Sequence, residues 1–292
     1  MVYQCRDCKH MFVAGQLTSE QLTDMYSNYY PRTDFNVDDY VPHKEKNGFL
    51  YWLDGEEGYA YRHVPKNVRI LDIGCGLCET LGYHKNRGCE VYGVEADENI
   101  QKIAEQYAFN VEMGLFDAKK YEPESFDYVT MDQVLEHIVD PLMFLKDVNS
   151  VLKPGGKLVA AFPNSGALGR FFFGSRWVGW HLPFHRHFYT KHSLGILASQ
   201  SGYEVEVMKS ATPSLSLLLN WGILLYSGKK GQKASDFLLN VAYNRTKNAM
   251  NKNSGRGRFG LFLKKIRFLC LSMRLADLLG VGDSSLVILR KQ

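Results

Sequence analysis

The sequence contains no long apolar run, few cysteines and, over one stretch, almost no acidic residues. No apolar run reaches the roughly 18 residues that a membrane-spanning helix requires, and the first residues are polar or charged where a secretory signal would be apolar. The six cysteines are irregularly spaced, which is typical of reduced intracellular thiols rather than of a disulfide framework. These absences predict a cytoplasmic protein that at most touches the inner face of a membrane.

The missing acids leave a strongly basic stretch between residues 229 and 274. It contains twelve Lys and Arg residues but one acid, Asp236, although the chain of 292 residues carries a net charge of only +4. A solvated helix face explains such a bias, and an anionic partner is the alternative. Nucleic acid is not the expected partner, because the basic residues belong to no recognisable nucleic-acid-binding module. With 45% apolar and 23% charged residues, the chain otherwise has the composition of a folded protein.

A third glycine is missing from the loop around which the chain is organised. The apolar run 68–73 predicts a buried parallel strand, and Gly74 and Gly76 follow it directly, before a segment that can be helical. A strand, a glycine turn and a helix start form the nucleotide-binding corner of an open α/β sheet. The dinucleotide pattern G-x-G-x-x-G is incomplete, since Glu79 stands at its third glycine. An NAD-dependent oxidoreductase is therefore a disfavoured alternative.

The motif Asp72-x-Gly74-x-Gly76 resembles the first motif of the class I S-adenosylmethionine-dependent methyltransferases, in particular those of types 11 and 23. That family often has a third glycine at the position of Cys78. Further stretches typical of the family follow in order, namely Phe126-Asp127-x-Val129, Leu135-Glu136-His137 and Leu152-Lys153-Pro154-Gly155-Gly156. The resemblance implies S-adenosylmethionine as the cofactor.

The resemblance also implies an α/β fold: a Rossmann-like, seven-stranded, mostly parallel sheet with helices on both faces and a helical insertion before the last strand. The residue pattern predicts strands at 68–73, 89–95, 110–113, 125–133, 157–162, 203–208 and 283–291. It predicts helices at 47–62, 97–107, 141–152 and 191–202. The expected units are an N-terminal arm at 1–44, a cofactor-binding core at 45–212, an insertion at 213–282 and the last strand at 283–292.

Acidic residues at strand ends are the expected cofactor ligands. Glu95 lies about twenty residues past the glycine loop, where a carboxylate accepts hydrogen bonds from two ribose hydroxyls. The family resemblance implies that a side chain in the loop 114–117 contacts the adenine, and Asp117 is the candidate. The predicted cofactor-binding residues are Asp72, Gly74, Cys75, Gly76, Glu95, Ala96, Asp117, Ala118 and Asp132.

The acceptor is expected to bind at the connection 163–189, which is long, aromatic and leaves the same edge of the sheet. Methyl transfer to oxygen usually needs a base, and the predicted catalytic residues are His137, His185 and His187. Packing and loop anchoring are the alternative roles for these histidines. No metal is expected, because no carboxylate lies among the three histidines of the connection.

Two peripheral segments have open roles. Cys5-x-x-Cys8 resembles half of the N-terminal zinc ribbon of related methyltransferases, and we expect a remnant without metal. The apolar segment 215–226, followed by the basic stretch, resembles an anchor at an anionic membrane surface, or it forms a helix buried against the sheet. A second amphipathic helix is predicted at 259–279.

Together these features predict an S-adenosylmethionine-dependent methyltransferase acting on a small-molecule, sugar or lipid-linked acceptor, such as a glycolipid or a quinone-like precursor, at oxygen. A catalytically inactive module that still binds the cofactor is the main alternative.

Overall fold

The computed structural model describes residues 1–15, 18, 21, 37–45, 48–216, 219–221 and 270–292. The strands of the main sheet are β3 (Arg69–Ile73), β4 (Glu90–Glu95), β5 (Asn110–Met113), β6 (Phe126–Asp132), β7 (Leu152–Pro163), β9 (Tyr203–Ala211) and β10 (Ser284–Lys291). Three shorter strands are β1 (Val2–Gln4), β2 (Met11–Val13) and β8 (His187–Phe188). The helices are α1 (Phe49–Leu53), α2 (Glu79–Lys85), α3 (Gln101–Gln106), α4 (Pro141–Val151), α5 (Leu168–Phe173), α6 (Lys191–Gln200) and α7 (270–278).

Seven strands form one sheet in the order β5-β4-β3-β6-β7-β10-β9. All neighbouring pairs are parallel except those of β10, which runs antiparallel to both β7 and β9. The predicted seven-stranded, mostly parallel sheet is therefore confirmed. Because five consecutive strands are parallel, their carboxyl ends lie along one edge, and the loops that leave this edge can meet around a ligand.

The core lies on both faces of the central strands. Leu71 in β3, Val129 in β6 and Leu158 in β7 are fully buried, as expected for strands that are covered on both sides. The apolar side of α4 adds Leu145 and Val148 to the same cluster. α6 contributes buried residues to it as well, so this core fixes β6 and β7, from whose ends the acceptor-side loops leave.

The predicted boundaries agree with the structure to within a few residues, with two corrections. β7 begins at Leu152 rather than at 157, and its register with β6 shifts where the glycine turn 153–156 bulges out. The region 47–62 is not one helix: α1 ends at Leu53, and short 3-10 turns follow it. Gly55 interrupts the helix because it adopts the left-handed conformation, with φ of +69°.

A second, three-stranded sheet of order β1-β2-β8 was not predicted. The N-terminal hairpin, whose turn carries the Cys5-x-x-Cys8 motif, pairs with the acceptor-side connection through Met11 and Phe188. The N-terminal arm is thus part of the same small sheet as His187, one of the acceptor-side histidines. Zinc binding by the two cysteines stays untested.

Most of the predicted insertion 213–282 lies outside the described residues, including nearly all of the basic stretch and most of 215–226. Its described end, α7, is attached to the core by Arg274, which is 5% exposed and contacts Asp277 at 2.9 Å. Among the residues that the structure describes, no helix has the length and apolarity needed to cross a bilayer.

Candidate active site

The glycine loop connects β3 to α2 at the carboxyl edge of the sheet. Gly74 has φ of +77°, and a Cβ there would lie 2.5 Å from Cγ2 of Val134. Gly76 also has positive φ, at +50°, but a Cβ there would meet nothing within 4 Å. Gly74 therefore permits close packing of the loop on the segment after β6. Gly76 leaves open space above the loop, which suits a bound nucleoside.

The loop continues through two buried cysteines. Cys78, at the position where related methyltransferases often have glycine, adopts the left-handed conformation with φ of +60°. Its side chain is fully buried, and its carbonyl accepts a hydrogen bond from the Tyr40 hydroxyl at 2.9 Å. The thiol contact with Cys78, together with burial, holds the pKa of Cys75 well above its usual range. The Cys75 thiol is thus protonated near pH 7 and packs in the apolar cluster that contains Leu81.

Asp72 is a buried acid in β3, directly before the glycine loop. Its carboxylate accepts hydrogen bonds from the hydroxyls of Thr80 and Thr130, the latter at 2.6 Å. Burial raises the pKa of Asp72 to about 6. Because both threonines hold the carboxylate, it orders β3, β6 and the start of α2 around the cofactor-side edge.

Glu95, at the end of β4, faces the glycine loop as predicted from its spacing. One carboxylate oxygen accepts the backbone N–H of Gly76 at 2.9 Å, and the other accepts that of Asp97 at 3.0 Å. Each oxygen of an ionised carboxylate has about two acceptor sites, so Glu95 can also accept two ribose hydroxyls. The adjoining Ala96 is exposed.

Asp117 lies in the loop after β5 and is exposed. Its side chain accepts the backbone N–H of Lys119 at 3.0 Å and thereby caps the short turn Ala118–Lys120. This capping gives Asp117 a structural role in its loop, which is the alternative to adenine recognition. The neighbouring Gly114 leaves open space, since a Cβ there would meet nothing within 4 Å.

Asp132 ends β6 at the same edge. Its carboxylate accepts the backbone N–H of Ala60 at 2.8 Å, which ties the turn Ala60–His63 to the sheet. Burial raises the pKa of Asp132 to about 7, and the charge of Asp72 adds to this shift. The three adjacent strands β3, β4 and β6 each carry an acid at or next to their carboxyl end, namely Asp72, Glu95 and Asp132.

The acceptor side is a cluster formed by the segment after β6 and the connection after β7. The rings of His137 and His185 meet edge to face with centroids 4.7 Å apart, and the ring of His181 lies 5.0 Å from that of His185. Nδ1 of His185 is 2.8 Å from the carbonyl of Gly179. Burial lowers the pKa of His137 to about 3 and that of His185 well below its usual range. Both imidazoles are therefore neutral near pH 7.

Glu136 completes this cluster. Its side chain is fully buried, and neither carboxylate oxygen has a hydrogen-bond partner. Oε1 lies 3.7 Å from Nε2 of His185. Burial raises the pKa of Glu136 to about 8. An unpartnered buried carboxyl group is costly to fold, which marks Glu136 as a functional candidate.

His187 is placed differently from the other two histidines predicted as catalytic. Its Nδ1 lies 3.0 Å from Nε2 of His10 in the N-terminal hairpin. The two rings stack with centroids 5.3 Å apart, and β8 pairs Phe12 with His187. His187 thus anchors the hairpin to the acceptor-side connection, and it also hydrogen-bonds the backbone of Ile138 and Val139, just after His137.

Sequence reasoning missed Glu136, Thr80 and Thr130. Glu136 was used only as part of the Leu-Glu-His motif, although its position directly beside His137 after a strand end was a usable signal. The expectation of no metal rested on the lack of a carboxylate near the histidines, and the fold supplies one from another segment. The two threonines gave no signal. Thr80 is on α2 rather than on the strand of Asp72, and Thr130 is 58 residues away from Asp72 in the chain.

Comparison with known proteins identifies the chain. The methyltransferase domain family matches residues 40–207, more than half of the chain. This chain belongs to the methyltransferase domain family. The prediction of a class I S-adenosylmethionine-dependent methyltransferase is thereby confirmed, with S-adenosylmethionine as its cofactor.

Curated relatives agree with this assignment over part of their length. The ubiquinone biosynthesis O-methyltransferase of Coxiella burnetii is 31% identical over 102 residues, which cover 32% of this chain and 42% of the relative. The demethylmenaquinone methyltransferase of Staphylococcus haemolyticus is 35% identical over 105 residues, covering 33% and 44%. The chain thus spans less than half the length of these curated relatives.

Solved structures support the fold alone. The [4+2]-cyclase SpnF aligns with a TM-score of 0.51 and 18% identity, covering 94% of this chain and 96% of the other. A methyltransferase of Haloferax volcanii in complex with the Trm112 activator aligns with a TM-score of 0.50 and 14% identity, covering 83% and 90%.

Proposed function

We propose that this protein transfers a methyl group from S-adenosylmethionine to a hydroxyl group of a small, quinone-like aromatic acceptor. The assignment of the cofactor rests on the carboxylate of Glu95. It lies 2.9 Å from the Gly76 amide, beside the open space above that glycine. The assignment of the acceptor rests on the histidine cluster at the same edge and on the names of two curated relatives, a ubiquinone biosynthesis O-methyltransferase and a demethylmenaquinone methyltransferase.

Bound S-adenosylmethionine supplies a methyl group that is already activated on a sulfonium. The protein must then align the acceptor oxygen with that methyl group and exclude water. Glu95 holds the ribose, Gly76 admits the nucleoside, and Asp117 is the candidate for adenine recognition. The segment 134–137 packs on the glycine loop through Val134, so the cluster of Glu136, His137 and His185 lies next to the cofactor side.

Orienting the acceptor hydroxyl for loss of its proton is the task that we assign to this cluster. Its imidazoles are neutral near pH 7, so they can accept a hydrogen bond from the acceptor hydroxyl. We therefore expect His185→Ala to lower turnover more than it lowers affinity for the cofactor.

The cofactor assignment is tested by calorimetric titration with S-adenosylmethionine, S-adenosylhomocysteine and NAD. We expect binding of both sulfur cofactors, weakened by Glu95→Ala roughly tenfold or more, because two ribose hydrogen bonds to a charged group are lost. Glu98→Ala, which removes an exposed carboxylate three residues further on, is the matched control and should leave affinity unchanged.

Binding of NAD without the sulfur cofactors would favour an oxidoreductase instead. Cofactor binding without formation of S-adenosylhomocysteine over a panel of phenols, hydroquinones and sugars would favour an inactive cofactor-binding module.

Peripheral contact with an anionic membrane stays a prediction. It is supported by the basic composition of 229–274 and by the apolar stripe that α7 and the turn after it expose, with Leu275 62%, Leu278 80% and Leu279 78% exposed.

A further inference from the structure

We propose that Glu136, His137 and His185 bind a divalent transition-metal ion beside the acceptor. The three residues each offer one ligand atom, and these atoms lie within 4.8 Å of one another. Ligands of one zinc-sized ion at about 2.0–2.2 Å lie roughly 3 Å apart. Side-chain adjustments of about an ångström would therefore close the cluster around an ion.

The surroundings of the two histidines resemble those of metal ligands. A ligating histidine usually donates its other ring N–H to a carbonyl or carboxylate, which fixes the ring and its tautomer. Nδ1 of His185 has that partner in the carbonyl of Gly179, at 2.8 Å, and its Nε2 is directed toward Glu136. The ring of His137 bonds the backbone of Phe184 in the same way. Both rings are thus oriented from outside the cluster by backbone atoms.

Glu136 supplies the oxygen ligand of the proposed site. Its two carboxylate oxygens are buried without hydrogen-bond partners, although most buried polar groups in proteins have one. The distance from Oε1 to Nε2 of His185 is 3.7 Å, which is too long for a hydrogen bond. A dication between them would satisfy both groups at once.

The donor set determines the class of metal. Two imidazoles and one carboxylate are typical of iron, cobalt, manganese or zinc, whereas magnesium and calcium prefer oxygen ligands. Three protein ligands leave coordination positions open for water or for an acceptor oxygen. His137 is only partly buried, so these positions can be reached from the acceptor side.

The ion would act as a Lewis acid on the acceptor hydroxyl, a role that rests on the proposed function. Coordination lowers the pKa of the hydroxyl, and its proton leaves to water. The oxygen then forms a bond to the methyl carbon, while the carbon–sulfur bond breaks and its electron pair stays on sulfur. No oxidant or reductant is involved.

The test is titration of the chelator-treated full chain with Co²⁺, followed by absorption spectroscopy and by calorimetry. We expect one ion per chain, with ligand-field bands but without a thiolate-to-cobalt charge-transfer band. Glu136→Gln, which keeps the size of the side chain, and His185→Ala should each weaken binding roughly tenfold or more. His192→Ala, which removes an exposed histidine from α6, is the matched control and should bind as the parent does.

The Cys5→Ser/Cys8→Ser double variant separates this site from the N-terminal cysteines. Loss of cobalt binding in that variant alone, or affinity that is unchanged by Glu136→Gln and His185→Ala, would overturn the inference, as would no binding at all. Thermal denaturation and S-adenosylmethionine titration of each variant show that it is folded. A chain that binds the cofactor but no cobalt refutes the metal site and leaves the proposed function standing, and the reverse result refutes only the cofactor assignment.

Discussion

Cys78 shows how one residue of the cofactor loop carries a conformational cost. A non-glycine residue in the left-handed region costs roughly 1–2 kcal/mol, and the φ of Cys78 is +60°. The buried thiol packs in the cluster that contains Leu81 and Ile103, which offsets part of that cost. The loop therefore keeps the shape that a glycine would give it, with a side chain added to the core.

We predict that Cys78→Gly changes the free energy of unfolding by less than about 1 kcal/mol, because relief of strain and loss of packing oppose each other. Cys78→Val should destabilise by about 2 kcal/mol and weaken S-adenosylmethionine binding, since β-branched residues tolerate positive φ poorly. Urea denaturation and calorimetry measure the two effects. Cys89→Val, at a buried cysteine without positive φ, gives the cost of the added bulk together with loss of the thiol contact to the Pro65 carbonyl, 3.5 Å away.

At this scale the sequence predicted the cofactor side better than the acceptor side. Asp72, Gly76 and Glu95 follow one another at spacings fixed by a single strand–loop–helix–strand unit, so local pattern places them. Glu136 and His185 meet only through packing of the connection 163–189, whose path has no periodicity. The sequence shows that Glu136 adjoins His137, but no local pattern could show that His185 lies 3.7 Å from its carboxylate.

Among the elements, α7 depends on one buried charged group. Arg274 contacts Asp277 at 2.9 Å, the Trp52 carbonyl at 3.2 Å and the carbonyl of Thr212. The guanidinium therefore joins α7 to α1 and to the end of β9. Removing one partner of a buried ion pair leaves the other charge unpaired.

We predict that Arg274→Ala lowers the free energy of unfolding by about 3–5 kcal/mol. Arg290→Ala is the control, because Arg290 forms exposed ion pairs with Glu204 and Glu206 that are worth about 1 kcal/mol or less. Thermal and urea denaturation give both values. Equal losses in the two variants would show that Arg274 does not hold α7 on the core.

The small sheet β1-β2-β8 is the element that the sequence concealed most completely. Strands of two or three residues give too short an alternation to detect. The partner of β2 lies in a connection predicted as irregular, more than 170 residues away along the chain. By contrast, the long parallel strands were predicted well, because apolar runs of five or more residues between turn signals are informative.

For the whole molecule, the buried acids at the sheet edge make stability depend on pH. Asp132 has its pKa raised to about 7 in the folded protein, above the ordinary value near 3.8 that it has when unfolded. Between these values the folded state retains a proton that the unfolded state has released. Stability from this group therefore falls as pH rises from about 4 to about 7, and it is constant above that range.

We predict that Asp132→Asn, measured without cofactor, is more stable than the parent at pH 8 and loses this advantage toward pH 4. The difference in free energy of unfolding between the two proteins should change by at most about 1.4 kcal/mol per pH unit between pH 4 and pH 7. Melting temperatures from pH 4 to pH 8 test the prediction, and both curves also carry the contributions of Asp72, Glu136 and Asp283. A constant difference across the range would contradict the assignment.

The antiparallel strand β10 has a consequence for how the chain acquires this structure. It fills the gap between β7 and β9, pairing Leu286 with Ala161 on one side and with Lys209 on the other. Both neighbours are made about 70 or more residues earlier, so a ribosome releases them as two open strand edges long before their shared partner is synthesised. During translation the nascent chain therefore holds an incomplete sheet, and chaperones can bind its open strand edges in that interval.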